Sequence, residues 1–350
     1  MKKNVVIDFS RINDYTGFGE VARRYYAELC RVDAPDLHFI AIVPPDYTGV
    51  RSENIDYLTT GNELQDLQRL GLSADLWHTT DQRQHLSPRK SGAKRLLTIH
   101  DINFIGEKTG IHRLKRILKM KLKIMRSDYI SVISQYVKDD ISTHIGFGNK
   151  GVSIVYNGVP DIESAPREQP AFVKDPSAKF FFTIGQVIPK KNFKTLLPLM
   201  DAFPDHHLYI CGETPGSYAD DIREQIATRY ADRVFLTGQI EHSEKYWLYA
   251  HCAAFLFPSK LEGFGLPIVE AMRFRCNIVA SQLTSIPEIA QDYISYWADF
   301  TPEHMISVLQ KALDIPQETL QRRHEEMYRY SQRFNYATYT AQYLDLYRRI

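Results

Sequence analysis

Twelve short apolar runs, three to six residues long, limit what this chain can become. Seven fall in the first half, at residues 5–7, 38–43, 55–58, 76–78, 96–99, 129–133 and 153–156. Five fall in the second, at 180–184, 208–211, 234–236, 253–257 and 277–280. Runs this short read as strands, and helix-length segments separate many of them. That order argues for an α/β architecture, with parallel sheets covered by helices on both faces. Between the two series, residues 160–178 carry Pro160, Pro166, Pro170 and Pro176 and lose periodicity, so the interdomain linker is placed there. At 350 residues and 44% hydrophobic content, the chain can build two such domains with real cores.

Open parallel sheets bind ligands beyond the carboxyl ends of their strands. The loops after the strands are therefore where chemistry is expected. The most informative stretch is FPSKLEGFGLPIVEAM, residues 257–272. A strand ending at Phe257 runs into a loop with Glu262, Gly263, Phe264 and Gly265, and a helix from about Leu266 carries Glu270 near its start. A helix N-terminus presents unbonded N–H groups and the positive end of the dipole, which suits a phosphate. Two carboxylates eight positions apart flank that anion site. A ligand with phosphate in the middle and hydroxyls at both ends, such as a nucleotide diphosphate sugar, fits. Acids near a helix start also occur for the dipole alone, so the pair by itself leaves a structural reading open.

A second loop at the same expected edge reads Gly185-Gln186-Val187-Ile188-Pro189-Lys190-Lys191-Asn192. Its lysines could be ordinary solvated surface, or could neutralise a diphosphate leaving group. In the first half, residues 9–16 lead into Gly17-Phe18-Gly19, with Ala22 completing G-x-G-x-x-A. The dinucleotide reading is rejected, because that fingerprint needs its first glycine directly after the strand and about eight residues intervene. His78 and His100 each end a strand. His78 reads as a structural residue; His100, followed by Asp101, is the stronger candidate for a site.

The string E-G-F-G-L-P-I-V-E resembles the E-x7-E motif of retaining glycosyltransferase family 4. The resemblance implies the GT-B fold: two Rossmann-like, doubly wound parallel-sheet domains facing a central cleft. The domains expected are 1–165 on the acceptor side, 178–332 for the nucleotide sugar, and a terminal helix at 333–350 that crosses back to the first. By the same resemblance Glu262 contacts the transferred sugar and Glu270 the ribose hydroxyls, while Phe264, Gly265 and Leu266 offer backbone N–H groups. Gly17 and Gly19 match the glycine loop that approaches the donor phosphates, and His100 matches a histidine directed at the donor sugar. Gly185, Lys191 and Asn192 match a G-x5-K-N segment. Many members have arginine directly after that glycine; this chain has Gln186, and Lys190 is expected to supply the second charge.

The activity implied is transfer of a hexosyl group, with retention, from a nucleotide diphosphate sugar to a hydroxyl acceptor. Lys190, Lys191 and the helix N-terminus would take the place of a metal, and no cofactor is expected beyond the donor substrate. The P-K-K-N form is most similar to mannosyltransferases of bacterial surface polysaccharides, so GDP-mannose is favoured over a UDP-sugar, with a glycan or lipid-linked glycan as acceptor. A GT-B nucleotide-sugar epimerase and a non-catalytic sugar-nucleotide-binding module remain alternatives.

A net charge of +1 gives no signal for nucleic acid. The four cysteines lack metal-ligand spacing, and a reducing cytoplasm suits them. Asp8 interrupts the opening apolar run too early for a signal peptide. Residues 112–126, HRLKRILKMKLKIMR, repeat apolar positions at helical spacing through Leu114, Ile117, Leu118, Leu122 and Met125, with no acid among them. One reading is a sheet-packed helix with a solvated face. The other is contact with an anionic membrane surface, which would make the protein peripheral on the inner face of the cell membrane.

Overall fold

The computed structural model describes residues 2–14 and 17–350. It divides into two compact units, one made of Met1–Pro160 with Phe334–Ile350, the other of Asp161–Arg333. The proline-rich segment after Pro160 is thus counted with the second unit.

Among the described residues, the first unit holds a seven-stranded sheet. Its strands are β1 (Lys3–Asp8), β2 (Leu37–Val43), β3 (Ile55–Thr59), β4 (Leu76–Thr79), β5 (Lys94–Ile99), β6 (Tyr129–Val132) and β7 (Gly151–Ile154). All pair in parallel, in the order β3-β2-β1-β4-β5-β6-β7. The order reverses between β1 and β4, which opens a crevice at their carboxyl ends. On one face Val6, Ile40, Ile42, Leu58 and Trp77 form an apolar cluster.

On the other face lies helix α1 (Gly17–Leu29), which buries Val21, Ala22, Tyr25, Tyr26 and Leu29. Beside it packs the C-terminal helix Tyr336–Arg349, with the Tyr25 and Tyr339 rings 5.1 Å apart, edge to face. His78 is fully buried there. Its Nδ1 meets the Tyr347 hydroxyl at 2.6 Å and its Nε2 meets Thr98 Oγ1 at 2.7 Å, so it serves the core. Burial first, then the neighbouring His100, lowers its pKa to about 3.

Two local features differ from the sequence reading. Gly17 and Gly19 are expected in a loop but form the first turn of α1, where Glu20 favours the helix dipole. Residues 15 and 16 of the preceding loop lie outside the described residues. Helix α2 (Gly110–Arg126) buries Met120 and Ile124, whereas Leu114, Leu118, Leu122 and Met125 stand on the surface, against the one of the two readings that packs this stripe on the sheet. Helix α3 (Gln135–His144) starts after Ser134, whose Oγ accepts the Val137 N–H at 3.1 Å; Ser134 is fully buried.

The second unit holds a six-stranded parallel sheet of β8 (Lys179–Ile184), β9 (His206–Cys211), β10 (Val234–Gly238), β11 (Ala254–Phe257), β12 (Ile278–Ser281) and β13 (Ser295–Trp297). The order β10-β9-β8-β11-β12-β13 reverses between β8 and β11. Three consecutive phenylalanines on β8 show how both faces are filled: Phe181 joins one core cluster, Phe180 and Phe182 the other. Edge strand β13, three residues long, has no sequence period to announce it. Helices α4 (His242–His251) and α5 (Leu266–Arg273) cover one face. The four cysteines are free thiols, and Cys252 and Cys276, distant in sequence, both reach the Tyr249 carbonyl.

Candidate active site

The second sheet places its two most informative loops side by side, because β8 and β11 flank the switch point. Gly185 leaves β8 with φ 147°, a conformation that glycine tolerates best. A Cβ on its neighbour Gly212 would come within 2.1 Å of the Gly185 carbonyl oxygen, so two bare backbones meet there. The loop then makes a short turn, Pro189–Lys191, that ends at Asn192 in the left-handed region. This turn aims Lys191 at the loop after β11. Its Nζ stands 2.5 Å from Glu262 Oε1 and 5.0 Å from the centroid of the Phe257 ring.

Both partners of this ion pair are largely buried, with side chains 14% and 13% exposed. Such a pair holds only if its surroundings fix it. The Lys190 carbonyl accepts the Lys260 N–H at 2.7 Å and Ser259 Oγ at 3.3 Å. On the far side Thr284 Oγ1 accepts the Glu262 N–H at 3.2 Å, and Ser285 Oγ donates to the Glu262 carbonyl at 3.1 Å. A lysine ammonium has three N–H donors, so Lys191 can hold Glu262 and still donate to an anion.

Gly265, with φ 100°, caps α5; Pro267 carries no N–H and the Ile268 N–H donates to the Gly265 carbonyl at 2.9 Å, so Leu266 supplies the first N–H of the helix. Phe264 is buried beneath the turn. Glu270 lies one turn into α5, which starts at Leu266 as the sequence suggests, and its carboxylate is held from α4. Lys245 Nζ stands 2.8 Å from Oε1, and the Tyr249 hydroxyl donates to Oε2 at 3.1 Å. Lys245 and Tyr249 escape sequence reasoning, since nothing in H-S-E-K-Y-W-L-Y announces a partner 21 to 25 residues downstream.

Gln186, where an arginine was expected, has its own use. Its Nε2 donates to Glu213 Oε2 at 2.9 Å, and Gln239 Nε2 donates to Glu213 Oε1 at 2.7 Å. The two amides hold one carboxylate above the ends of β8, β9 and β10. Lys190 contributes its backbone carbonyl to the loop brace, as above.

The first unit has a separate small cavity at its own switch point, lined by Phe9, Arg11, Phe18, Thr80, Asp81 and His100, among others. His100 is buried, and its Nε2 donates to the Thr80 carbonyl at 2.8 Å while Gln82 Oε1 accepts its backbone N–H at 3.0 Å. The Phe18 ring meets His100 edge-on at 4.9 Å, and the Arg83 guanidinium lies 3.6 Å from the centroid of the Phe18 ring. Gly19 permits this approach of the loop: a Cβ there would fall 2.0 Å from the Asp14 carbonyl oxygen. Gly17 has open space around it. Asp101 Oδ1 accepts the Asn103 N–H.

Two buried acids belong to this region: Asp81, which lines the cavity, and Asp8 at the end of β1. Burial pushes the Asp8 carboxyl up to about 6, against hydrogen bonds from Ser10. Burial also works to raise Asp81, but hydrogen bonds from Arg83 and the charge of His100 outweigh it, and its pKa lies below the usual carboxylate value. Neither acid was singled out from sequence. Among the described residues no group of three or more His, Cys, Asp or Glu is placed to hold a metal ion.

Two Rossmann-like units of this kind make up the GT-B fold, which this chain shares with solved glycosyltransferases. Residues 164–333 match the family described as glycosyl transferases group 1. The chain is also similar to the O-antigen chain mannosyltransferase RfbU of Salmonella typhimurium, 23% identical over 55% of this chain and 53% of that protein. The serotype-specific mannosyltransferase WbdA of Escherichia coli is 22% identical over 93% of this chain and 43% of its own length. The chain thus spans about half the length of the curated relatives it matches. Among solved structures, sucrose-phosphate synthase from Thermosynechococcus elongatus superposes with a TM-score of 0.75 at 16% identity, covering 99% of both chains. Anabaena HepE in complex with UDP and glucose gives 0.74 at 16% identity, covering 100% of both.

Proposed function

We propose that this chain is a retaining hexosyltransferase that moves mannose from GDP-mannose to a hydroxyl of a glycan or glycolipid acceptor. The observation that carries the reading is the Lys191–Glu262 pair at the switch point of the second sheet, beside the N-terminus of α5. A diphosphate leaving group needs cationic stabilisation, which the Lys191 ammonium and the helix N-terminus supply without a metal. Glu262, held by that lysine, positions the sugar and is not the nucleophile. The departing phosphate oxygen takes the proton of the acceptor hydroxyl, so the new glycosidic bond forms on the face the nucleotide leaves. Glu270 receives the ribose hydroxyls.

Mannose is favoured over other hexoses because the matched relatives RfbU and WbdA are named mannosyltransferases. HepE, the neighbour bound to UDP and glucose, makes UDP-glucose the donor to test against it. The test incubates the purified protein with GDP-mannose or UDP-glucose, with and without an oligosaccharide acceptor ending in mannose, and analyses products by mass spectrometry and NMR. An acceptor extended by one hexose in the α configuration, from GDP-mannose alone, is the expected result. Consumption of donor without acceptor, yielding a free epimerised sugar, would replace transfer by epimerisation. Nucleotide binding with no turnover would leave a binding module.

A further inference from the structure

Eight large apolar side chains stand exposed among the described residues, and five of them lie on α2. Ile111, Leu114, Leu118, Leu122 and Met125 are between 49% and 61% exposed. Their spacing of three or four residues sets them in one stripe along the helix. The opposite side is the one that packs: Met120 and Ile124 are buried, and Lys123 Nζ donates to the carbonyls of Gln82 and Gln84, each at 2.5 Å. Helix α2 is therefore already docked by its inner face, and the apolar stripe remains uncovered. At 17 residues it runs about 25 Å along the surface.

Charge decides what can cover it. From Lys108 to Arg126 the sequence has no acid, and Lys115, Lys119 and Arg126 flank the stripe on one side with Lys121 on the other. A second copy of this chain meeting the stripe about a twofold axis would set cations against cations. An anionic lipid surface meets both requirements at once, since it takes the apolar side chains into the acyl boundary and the cations at the headgroups. We propose that α2 lies flat on an anionic bilayer, with Ile111, Leu114, Leu118, Leu122 and Met125 inserted and the flanking lysines on the phosphates. Lys123 ties this helix to residues 82–84, and Gln82 holds the backbone of His100. Docking would thus fix the cavity beside His100 close to the surface where a lipid-borne acceptor resides.

The test is co-sedimentation of the full chain with vesicles of phosphatidylglycerol and phosphatidylethanolamine, and with vesicles of phosphatidylcholine alone. The anionic vesicles are expected to bind it and the neutral ones to bind it far more weakly, with binding that falls as salt rises. Leu118→Ser with Leu122→Ser should lose most of the binding. Lys115→Glu with Lys119→Glu should lose at least roughly fivefold for each cation. These exposed changes should leave the circular dichroism spectrum unaltered. Equal binding to both vesicle types, or full binding by the Leu118/Leu122 variant, would overturn the proposal. So would a dimer in sedimentation velocity that the same serines dissociate, with no vesicle binding. Because the readout is binding, the result stands apart from whether the chain transfers mannose.

Discussion

Lys191 Nζ stands 2.5 Å from Glu262 Oε1, across the point where the strand order of the second sheet reverses. The two residues come from loops 71 positions apart, and each is largely buried. Removing one leaves the other as an uncompensated buried charge, so their contributions cannot be independent. Lys191→Ala is expected to lower kcat by about 100-fold or more, the scale of losing one preorganised electrostatic donor. Glu262→Gln should also lower kcat, and the double variant should cost much less than the product of the two. Steady-state kinetics on the four proteins test this. Multiplicative losses would mean that the two side chains do not act as a unit.

Glu270 accepts from Lys245 and Tyr249 in this structure, yet a carboxylate has lone pairs for further donors. If it also binds the ribose, Glu270→Ala should raise the Kd for GDP by about tenfold or more, the scale of hydrogen bonds to a charged group. Lys245→Ala should raise it too, since the carboxylate then loses its main anchor, whereas Tyr249→Phe should matter least. Calorimetric titration of GDP reads all three. An unchanged Kd in Glu270→Ala would remove the ribose assignment while leaving Lys191 and Glu262 untouched.

Gly17 and Gly19 sit two residues apart in the first turn of α1, but only one has no room for a side chain. Gly19→Ala places a methyl group 2.0 Å from the Asp14 carbonyl oxygen, so the backbone must move. Gly17→Ala meets open space and should gain up to about 1 kcal/mol from helix propensity. Thermal unfolding should separate them, with Gly19→Ala destabilised and Gly17→Ala neutral or stabilised. Equal behaviour would mean that the loop before α1 yields freely.

The alternation of apolar runs predicts both parallel sheets because strands buried on two faces leave little room for polar residues. The stripe of Tyr339, Tyr343, Leu346 and Tyr347 likewise marks the buried side of the last helix. Glu262, Gly265 and Lys191 were legible because each follows a strand closely, where local spacing suffices. Lys245, Tyr249 and Glu213 were not, since their meaning comes from contacts that only the sheet order creates. For a related reason the sequence left two readings of α2 open: periodicity finds an apolar stripe but cannot say what lies against it. Nor can any local pattern show that Thr80 and Gln82 hold His100, because β4 and β5 must first be neighbours.

Asp8 provides a test of the buried polar layer in the first unit. Its carboxyl rises from 3.8 to about 6, chiefly through burial, with Glu63 and Asp81 adding to the effect of burial. Between these values the folded chain holds a proton that the unfolded chain releases, so stability falls as pH rises. The contribution is fully present below about 3.8 and lost as pH climbs through about 6. At 1.36 kcal/mol per unit the loss is about 3 kcal/mol. Asp8→Asn keeps the Oδ1 that accepts from the Ser10 N–H and the Gln84 amide, and it cannot ionise. His78 has the opposite slope, since its lowered pKa costs stability as pH falls below 6.5, but it is present in both proteins and cancels in their difference. Urea unfolding should therefore show Asp8→Asn close to the parent at pH 4 and more stable by up to about 3 kcal/mol at pH 8. A difference that does not change with pH would mean that Asp8 is ionised throughout, with its charge satisfied by Ser10 and Gln84.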